Sequence, residues 1–112
     1  LFHVSNFEKL KTFEPLASSL TIKNSSIHGL GLFAITEISS DTELGISHVK
    51  DDRFSHGYIR TPLGGFFNHS KKPNCKAVYD GDFIKIITLS NINSGDEITV
   101  DYTKHDWIKK NQ

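Results

Sequence analysis

One cysteine, Cys75, stands in a chain of 112 residues. An intramolecular disulfide is therefore excluded, and so is a zinc site built from cysteines. Net charge is missing too: 13 Lys and Arg balance 13 Asp and Glu, which leaves no global field to draw the chain to nucleic acid or to anionic lipid. No apolar run approaches the ~20 residues that span a bilayer. No signal-peptide pattern opens the chain. Repeats, low-complexity tracts and linkers are absent. The six His are dispersed without ligand-like spacing, so no metal is expected. What remains is the expectation of a soluble, cytoplasmic single domain with no membrane and no direct nucleic-acid partner. The chain begins with Leu1 and not Met, which leaves open whether its native N-terminus is present.

What is there is apolar enough to fold. A hydrophobic fraction of 37% with eight Phe argues for a packed globule of one domain. Residues 1–19 carry Phe2, Val4, Phe7, Leu10 and Phe13 ahead of Pro15 and read as an N-terminal arm or short helix stopped before the proline. From residue 20 to 112 the pattern is mainly β. Leu20-Thr21-Ile22-Lys23 alternates as a strand, and Leu32-Phe33-Ala34-Ile35 reads as a second. Glu43-Leu44-Gly45-Ile46 follows the Ser39-Ser40-Asp41 turn as a third. Residues 48–57 are polar and read as an exposed loop, and Tyr58-Ile59-Arg60 as a brief extended piece. Cys75–Tyr79 and Phe83–Leu89 flank Asp80-Gly81, a strong hairpin signal. Asp96 to Tyr102 reads as a last strand, with a helical turn from Thr103 to Lys110 around Trp107.

One stretch describes a site better than it describes a loop. In Gly64-Gly65-Phe66-Phe67-Asn68-His69-Ser70-Lys71-Lys72-Pro73-Asn74-Cys75, glycines permit close packing or a sharp turn, and two Phe anchor the segment. A polar Asn-His-Ser triplet follows, braced by the turn-forming Pro73-Asn74. Taken alone, Asn68, His69 and Ser70 are also ordinary loop-capping residues. Earlier, His28-Gly29-Leu30-Gly31 opens into an apolar run. It lacks the third glycine and following helix of a dinucleotide fingerprint. On its own it reads as a tight hairpin, or as a place where backbone approaches a ligand closely.

Those two pieces, together with Gly95-Asp96-Glu97-Ile98-Thr99-Val100-Asp101-Tyr102, resemble in order and separation the SET-domain protein lysine methyltransferases. The likeness is strongest to the minimal viral and bacterial type and runs from about Leu20 to Trp107. It implies a β-clip-like fold of several small curved sheets, few short helices and a C-terminal knot-like crossing. It implies S-adenosylmethionine as cofactor, contacted by His28, Gly29, Leu30, Gly31, Asn68 and His69, with Trp107 against the adenine. Tyr102 matches the family's catalytic tyrosine; a buried core tyrosine is the plainer alternative. Phe66, Phe67 and Val100 become wall or support of a channel for the substrate lysine. The implied partner is a protein carrying a target lysine, histone being the family's habitual substrate, and a homodimer is left open. A catalytically silent SET-like module that binds peptide or cofactor is the competing reading.

The departures are informative. Larger relatives place a cysteine after Asn-His-Ser, where this chain has Lys71, and a zinc-binding cysteine cluster after the tyrosine, where it has none. The insert that often reads the substrate peptide is cut to residues 48–63. Val100 stands where many relatives carry an aromatic that limits methyl number, so the degree of methylation stays open. Asp51, Asp52, Asp80, Asp82 and Asp106 favour a basic substrate only if they gather on one face; scattered on loops they are solvated charges.

Overall fold

The computed structural model describes residues 16–55 and 57–104. Most of the expected arm over residues 1–19 lies outside these, as does Trp107. The described part of that arm, residues 16–19, is a turn closed by the Leu20 N–H donating to the Ala17 carbonyl (3.0 Å).

The chain is mainly β. Strands β1 (Leu20–Asn24) and β2 (Leu30–Ala34) form an antiparallel pair of their own, Leu20 opposite Ala34 and Asn24 opposite Leu30. The remaining strands are β3 (Glu43–Lys50), β4 (Tyr58–Arg60), β5 (Asn68–His69), β6 (Cys75–Asp80), β7 (Phe83–Thr88) and β8 (Thr99–Val100). They make one six-stranded sheet in the order β4-β3-β7-β6-β8-β5. A five-residue helix, α1 (Pro62–Phe66), precedes β5, and a 3-10 turn, Tyr102–Lys104, follows β8.

Local chemistry accounts for these pieces. In β7 the period-2 pattern buries Ile84, Ile86 and Thr88 and turns Phe83 outward, as a strand with one face on a core must. Helix α1 starts where Thr61 caps it, the hydroxyl accepting from the Gly64 N–H (3.3 Å), with Pro62 in the first turn, where its missing N–H is harmless. Gly64 is obligatory: a Cβ there would collide with the Ser47 carbonyl, so α1 lies directly on the backbone of β3. Leu32, Leu63, Phe67, Ile86, Ile98 and Val100 lie at the centre of the buried cluster between the two sheets and α1.

Three expectations change. Residues 48–50 belong to β3, not to an exposed loop, and His48 is fully buried. The reason is position: β3 is paired on both sides, His48 lying opposite Arg60 of β4 and Ile84 of β7. In the β6–β7 hairpin Asp80 stays in the ladder opposite Phe83, so the two loop residues are Gly81 and Asp82. Gly81 takes the positive φ of +60° at the first loop position, as in a type II′ hairpin. The last strand is only Thr99–Val100; Glu97 makes a lone bridge to Phe33, and Tyr102 already starts the 3-10 turn.

That shortening follows from where β8 goes. It enters between β5 and β6 and runs parallel to both, Asn68 opposite Thr99, His69 opposite Val100, and Cys75 also opposite Val100. The strands flanking it are joined by residues 70–74, so the C-terminal segment passes beneath that loop. The expected crossing is present. A two-residue β5 and the loop itself leave room for no longer a partner.

Candidate active site

The crossing is held by side chains far apart in sequence. Asn74, read from sequence as a turn-former, clamps the tail with both ends of its amide. Its Nδ2 donates to the Glu97 carbonyl (2.7 Å), while its Oδ1 accepts from the Thr99 N–H (2.9 Å). Behind the clamp, Ser70 N–H donates to the Val100 carbonyl (3.2 Å). The tail is then delivered to β5: the Tyr102 N–H donates to His69 Nδ1 (2.9 Å), and the Tyr102 hydroxyl donates to the Phe67 carbonyl (2.8 Å). The Tyr102 ring lies 5.1 Å from the His69 ring and edge-on to Phe67 at 6.1 Å. Residues 33 apart along the chain thus share one spot.

Asn68 turns the other way, toward the β1–β2 turn. Its buried amide nitrogen faces the His28 carbonyl (3.3 Å), the Leu30 carbonyl (3.3 Å), Ser25 Oγ (3.2 Å) and Glu97 Oε2 (2.7 Å). Glu97 also accepts from the Ser25 hydroxyl (2.8 Å), and a Cβ on Gly31 would run into its carboxylate. So Gly31 is there to admit Glu97. Gly29 differs: it has a φ of +48° and open space where a side chain would be. The expected backbone approach to a ligand is free at Gly29, and His28 and Leu30 beside it are exposed. With the Asn68 nitrogen committed to the protein, any contact this residue makes to a cofactor falls to its Oδ1 and main chain.

The electrostatics are local. Burial, with the Glu97 charge, pushes the Tyr102 phenol up to about 12 against the opposing pull of Arg60. At neutral pH the hydroxyl is protonated and its proton is directed at Phe67. Asp101 is held below the usual carboxylate range, chiefly by the Thr103 hydroxyl (2.6 Å), with the Thr103 N–H (2.9 Å) and His69 adding to it. It stands 3.8 Å from His69 Nδ1.

The structure therefore brings Gly29, Leu30, Gly31, Asn68, His69 and Tyr102 around one crossing, with the His28 carbonyl turned inward. Phe67 and Val100 are core residues, 2% and 0% exposed, and Phe66 packs against that core half-buried. Phe67 and Val100 are therefore packing residues behind Tyr102, with no open surface of their own to line a channel. Trp107 lies outside the described residues. The reading from sequence assigned no role to Glu97, Ser25 or Arg60. For Glu97 a signal existed: a carboxylate stands immediately before Ile98-Thr99-Val100, three consecutive buried residues. Among the described residues no group of three or more His, Cys, Asp or Glu is placed to hold a metal. None of the described helices is long and apolar enough to cross a membrane.

Comparison with known proteins agrees with this geometry. The pattern of the SET domain family matches residues 47–103. A Schizosaccharomyces pombe histone-lysine N-methyltransferase, H3 lysine-37 specific, is 26% identical over 117 residues, covering 84% of this chain and 80% of the relative. A SET and MYND domain-containing protein of Dictyostelium discoideum is 38% identical over 54 residues. This region is 48% of this chain but only 13% of that larger relative. Among solved structures, a putative histone methyltransferase of Plasmodium falciparum superposes with a TM-score of 0.63 at 22% identity, over 77% of this chain and 94% of that one. The methyltransferase domain of human PR domain-containing protein 2 does so with 0.59 at 14%, over 84% and 81%. Those identities speak to the fold. With a family pattern that takes in His48 through Tyr102, and a tail threaded beneath the loop after Asn68-His69, the chain belongs to the SET domain family.

Proposed function

We propose that this chain transfers the methyl group of S-adenosylmethionine to the side-chain amine of a protein lysine. The observation that carries the reading is the convergence of the Tyr102 hydroxyl, the Asn68–His69 strand and the glycine turn at one threaded crossing. The residues fit such a cofactor: Gly29 leaves an open, side-chain-free edge next to the His28 carbonyl that Asn68 holds, and His69, the next residue of β5, is partly exposed beside Tyr102. Gly29, Leu30, Asn68 and His69 would hold it, with their main chain contributing most. When bound, the cofactor supplies a methyl group on a positively charged sulfur that leaves as a neutral thioether.

This chain's own task is then alignment and proton control. A free lysine has a pKa of ~10.4, so a neutral amine near pH 7.4 costs roughly 4 kcal/mol. Two features oppose the ammonium form. Phe67 and Val100 keep the site's backing dry, and Arg60 places a cation near enough to act on Tyr102. Tyr102, protonated up to a pH of about 12, is no base at neutral pH. Its hydroxyl proton is fixed on Phe67, so its oxygen lone pairs face the remaining directions and can orient an amine or take weak C–H···O contacts from a polarised methyl. Holding donor and acceptor in line is where most of the barrier reduction would come from, ~7 kcal/mol or more in well-oriented systems.

The S. pombe relative's name makes histone H3 a sensible first substrate, beside a lysine-rich protein mixture. Methyl transfer by the wild-type chain and by Tyr102→Phe is the test. We expect Tyr102→Phe to lower transfer by about a hundredfold, the usual scale for removing one orienting group, with cofactor affinity nearly unchanged. Asn68→Ala should instead weaken cofactor binding, because the turn it ties down is released. Cofactor binding without transfer, indifferent to Tyr102→Phe, would assign the chain to the silent-module class.

A further inference from the structure

A second feature lies away from the crossing. Between the outer side of β3, the start of α1 and the tip of β7 is an apolar groove of about 650 Å³, lined by Ala17, Ile46, Val49, Pro62, Leu63 and Phe83 among others. Strand pairing explains its floor. Val49 is opposite Ile59 on one side and Phe83 on the other, so the three side chains form a row across β4, β3 and β7. Ile59 and Phe83 in that row are 37% and 41% exposed. The one charged residue on the wall, Glu43, is already within 3.5 Å of Lys85. A continuous apolar surface of this kind is usually covered by something.

We propose that the occupant is the chain's own segment 1–15. Three observations favour it over a foreign partner. Ala17, on the groove's wall, is two residues from that segment, and Leu16 and Ala17 already pack against the core. The segment carries Phe2, Val4, Phe7, Leu10 and Phe13, an apolar content that a solvated tail has no use for. The reach suffices: Phe13 is four residue steps from Ala17, ~14 Å when extended, and fifteen residues span ~22 Å even if wound as a helix. Tethering at Ala17 also gives the segment an effective concentration in the millimolar range, which a free partner must outcompete. The proposal is independent of methyl transfer and goes beyond it: it assigns the first residues of the chain to closing the side of β3 opposite His48.

Thiol accessibility in the chain of residues 1–112 tests this. Cys75 is 1% exposed and burial pushes its thiol up to about 12, so a thiol introduced by Val49→Cys is the reactive one. We expect slow modification by a maleimide, independent of protein concentration. Adding Phe7→Ser, Leu10→Ser and Phe13→Ser should speed it roughly tenfold, as for a site passing from mostly covered to open. Because Val49→Cys disturbs a central strand, Phe83→Cys is run in parallel on an already exposed position, with thermal unfolding as the check that each variant folds. Modification rates indifferent to the triple substitution would overturn the proposal. So would protection that grows with protein concentration, which would mean that a second copy covers the groove.

Discussion

The two ends of the six-stranded sheet are built on different principles. At the β5–β8 end the strands are two residues long, and order comes from side chains: Asn74 on the tail, His69 and the Phe67 carbonyl on Tyr102, Asn68 and Glu97 on the glycine turn. At the β4–β3–β7–β6 end, order comes from the backbone ladder, and side chains make the outer faces. Short strands pinned by amides and a carboxylate leave backbone groups outside any long ladder, where they can face a ligand. Long ladders cannot, because their backbone is already used. The difference teaches that the candidate site lies where the ladder is thinnest.

The sharpest way to probe the ladder end is through His48. Burial, with Arg60 opposite, lowers its pKa from 6.5 to about 4. Between those values the unfolded chain binds a proton that the folded chain refuses, so stability is full above pH 6.5 and is lost as pH falls toward 4. The span corresponds to roughly 3 kcal/mol. Urea unfolding at pH 7 and pH 4.5 should show most of that loss in the wild type and much less in His48→Gln. The depressed carboxylates lose their contribution only at lower pH, below the ordinary value of 3.8. Equal slopes in both proteins would mean that His48 is not the group that titrates.

At the crossing the corresponding test is Asn74→Ala. It would strip the Glu97 carbonyl and the buried Thr99 N–H of their partners, and unmet buried groups of this kind cost about 2 kcal/mol together. The loss should be accompanied by faster hydrogen exchange at the Thr99 amide and by weaker methyl transfer, while exchange in β6 and β7 stays as it was. Asn74→Asp keeps the acceptor for Thr99 but sets a carboxylate oxygen against the Glu97 carbonyl, and should be no more stable than Asn74→Ala at neutral pH. Uniform acceleration across both ends would show that the two regions unfold as one unit and that the contrast between them has no energetic content.

This contrast also explains what could be read in advance. Alternation and turn residues located β1, β2, β4, β6 and β7 because those strands are held by local pairing, whose period is written in the residues. They missed the extension of β3 through His48 because a polar residue buried in a doubly paired strand looks like a loop residue. They overextended the last strand because nothing in Asp96 to Tyr102 says that only two residues find room between β5 and β6. The candidate site residues were named through the resemblance of three motifs. Their partners were not: Ser25 and Glu97 are 72 residues apart, and only the threading brings them together.

The mildest perturbation bears on the turn that sets the ladder's register. Gly81 has a φ of +60° and nothing within 4 Å of where a Cβ would point. Gly81→Ala therefore meets no clash, and its whole penalty is the left-handed backbone, about 1 kcal/mol. Asn tolerates that region better than Ala, so Gly81→Asn should sit between the two. Thermal unfolding of the three proteins should rank glycine, asparagine, alanine, with methyl transfer unaltered in all of them. Were Gly81→Ala to lower transfer, the hairpin would be coupled to the crossing through β6, whose first residue, Cys75, pairs with Val100. The ladder and the junction would then be one mechanical element with the register of a surface turn felt at Tyr102.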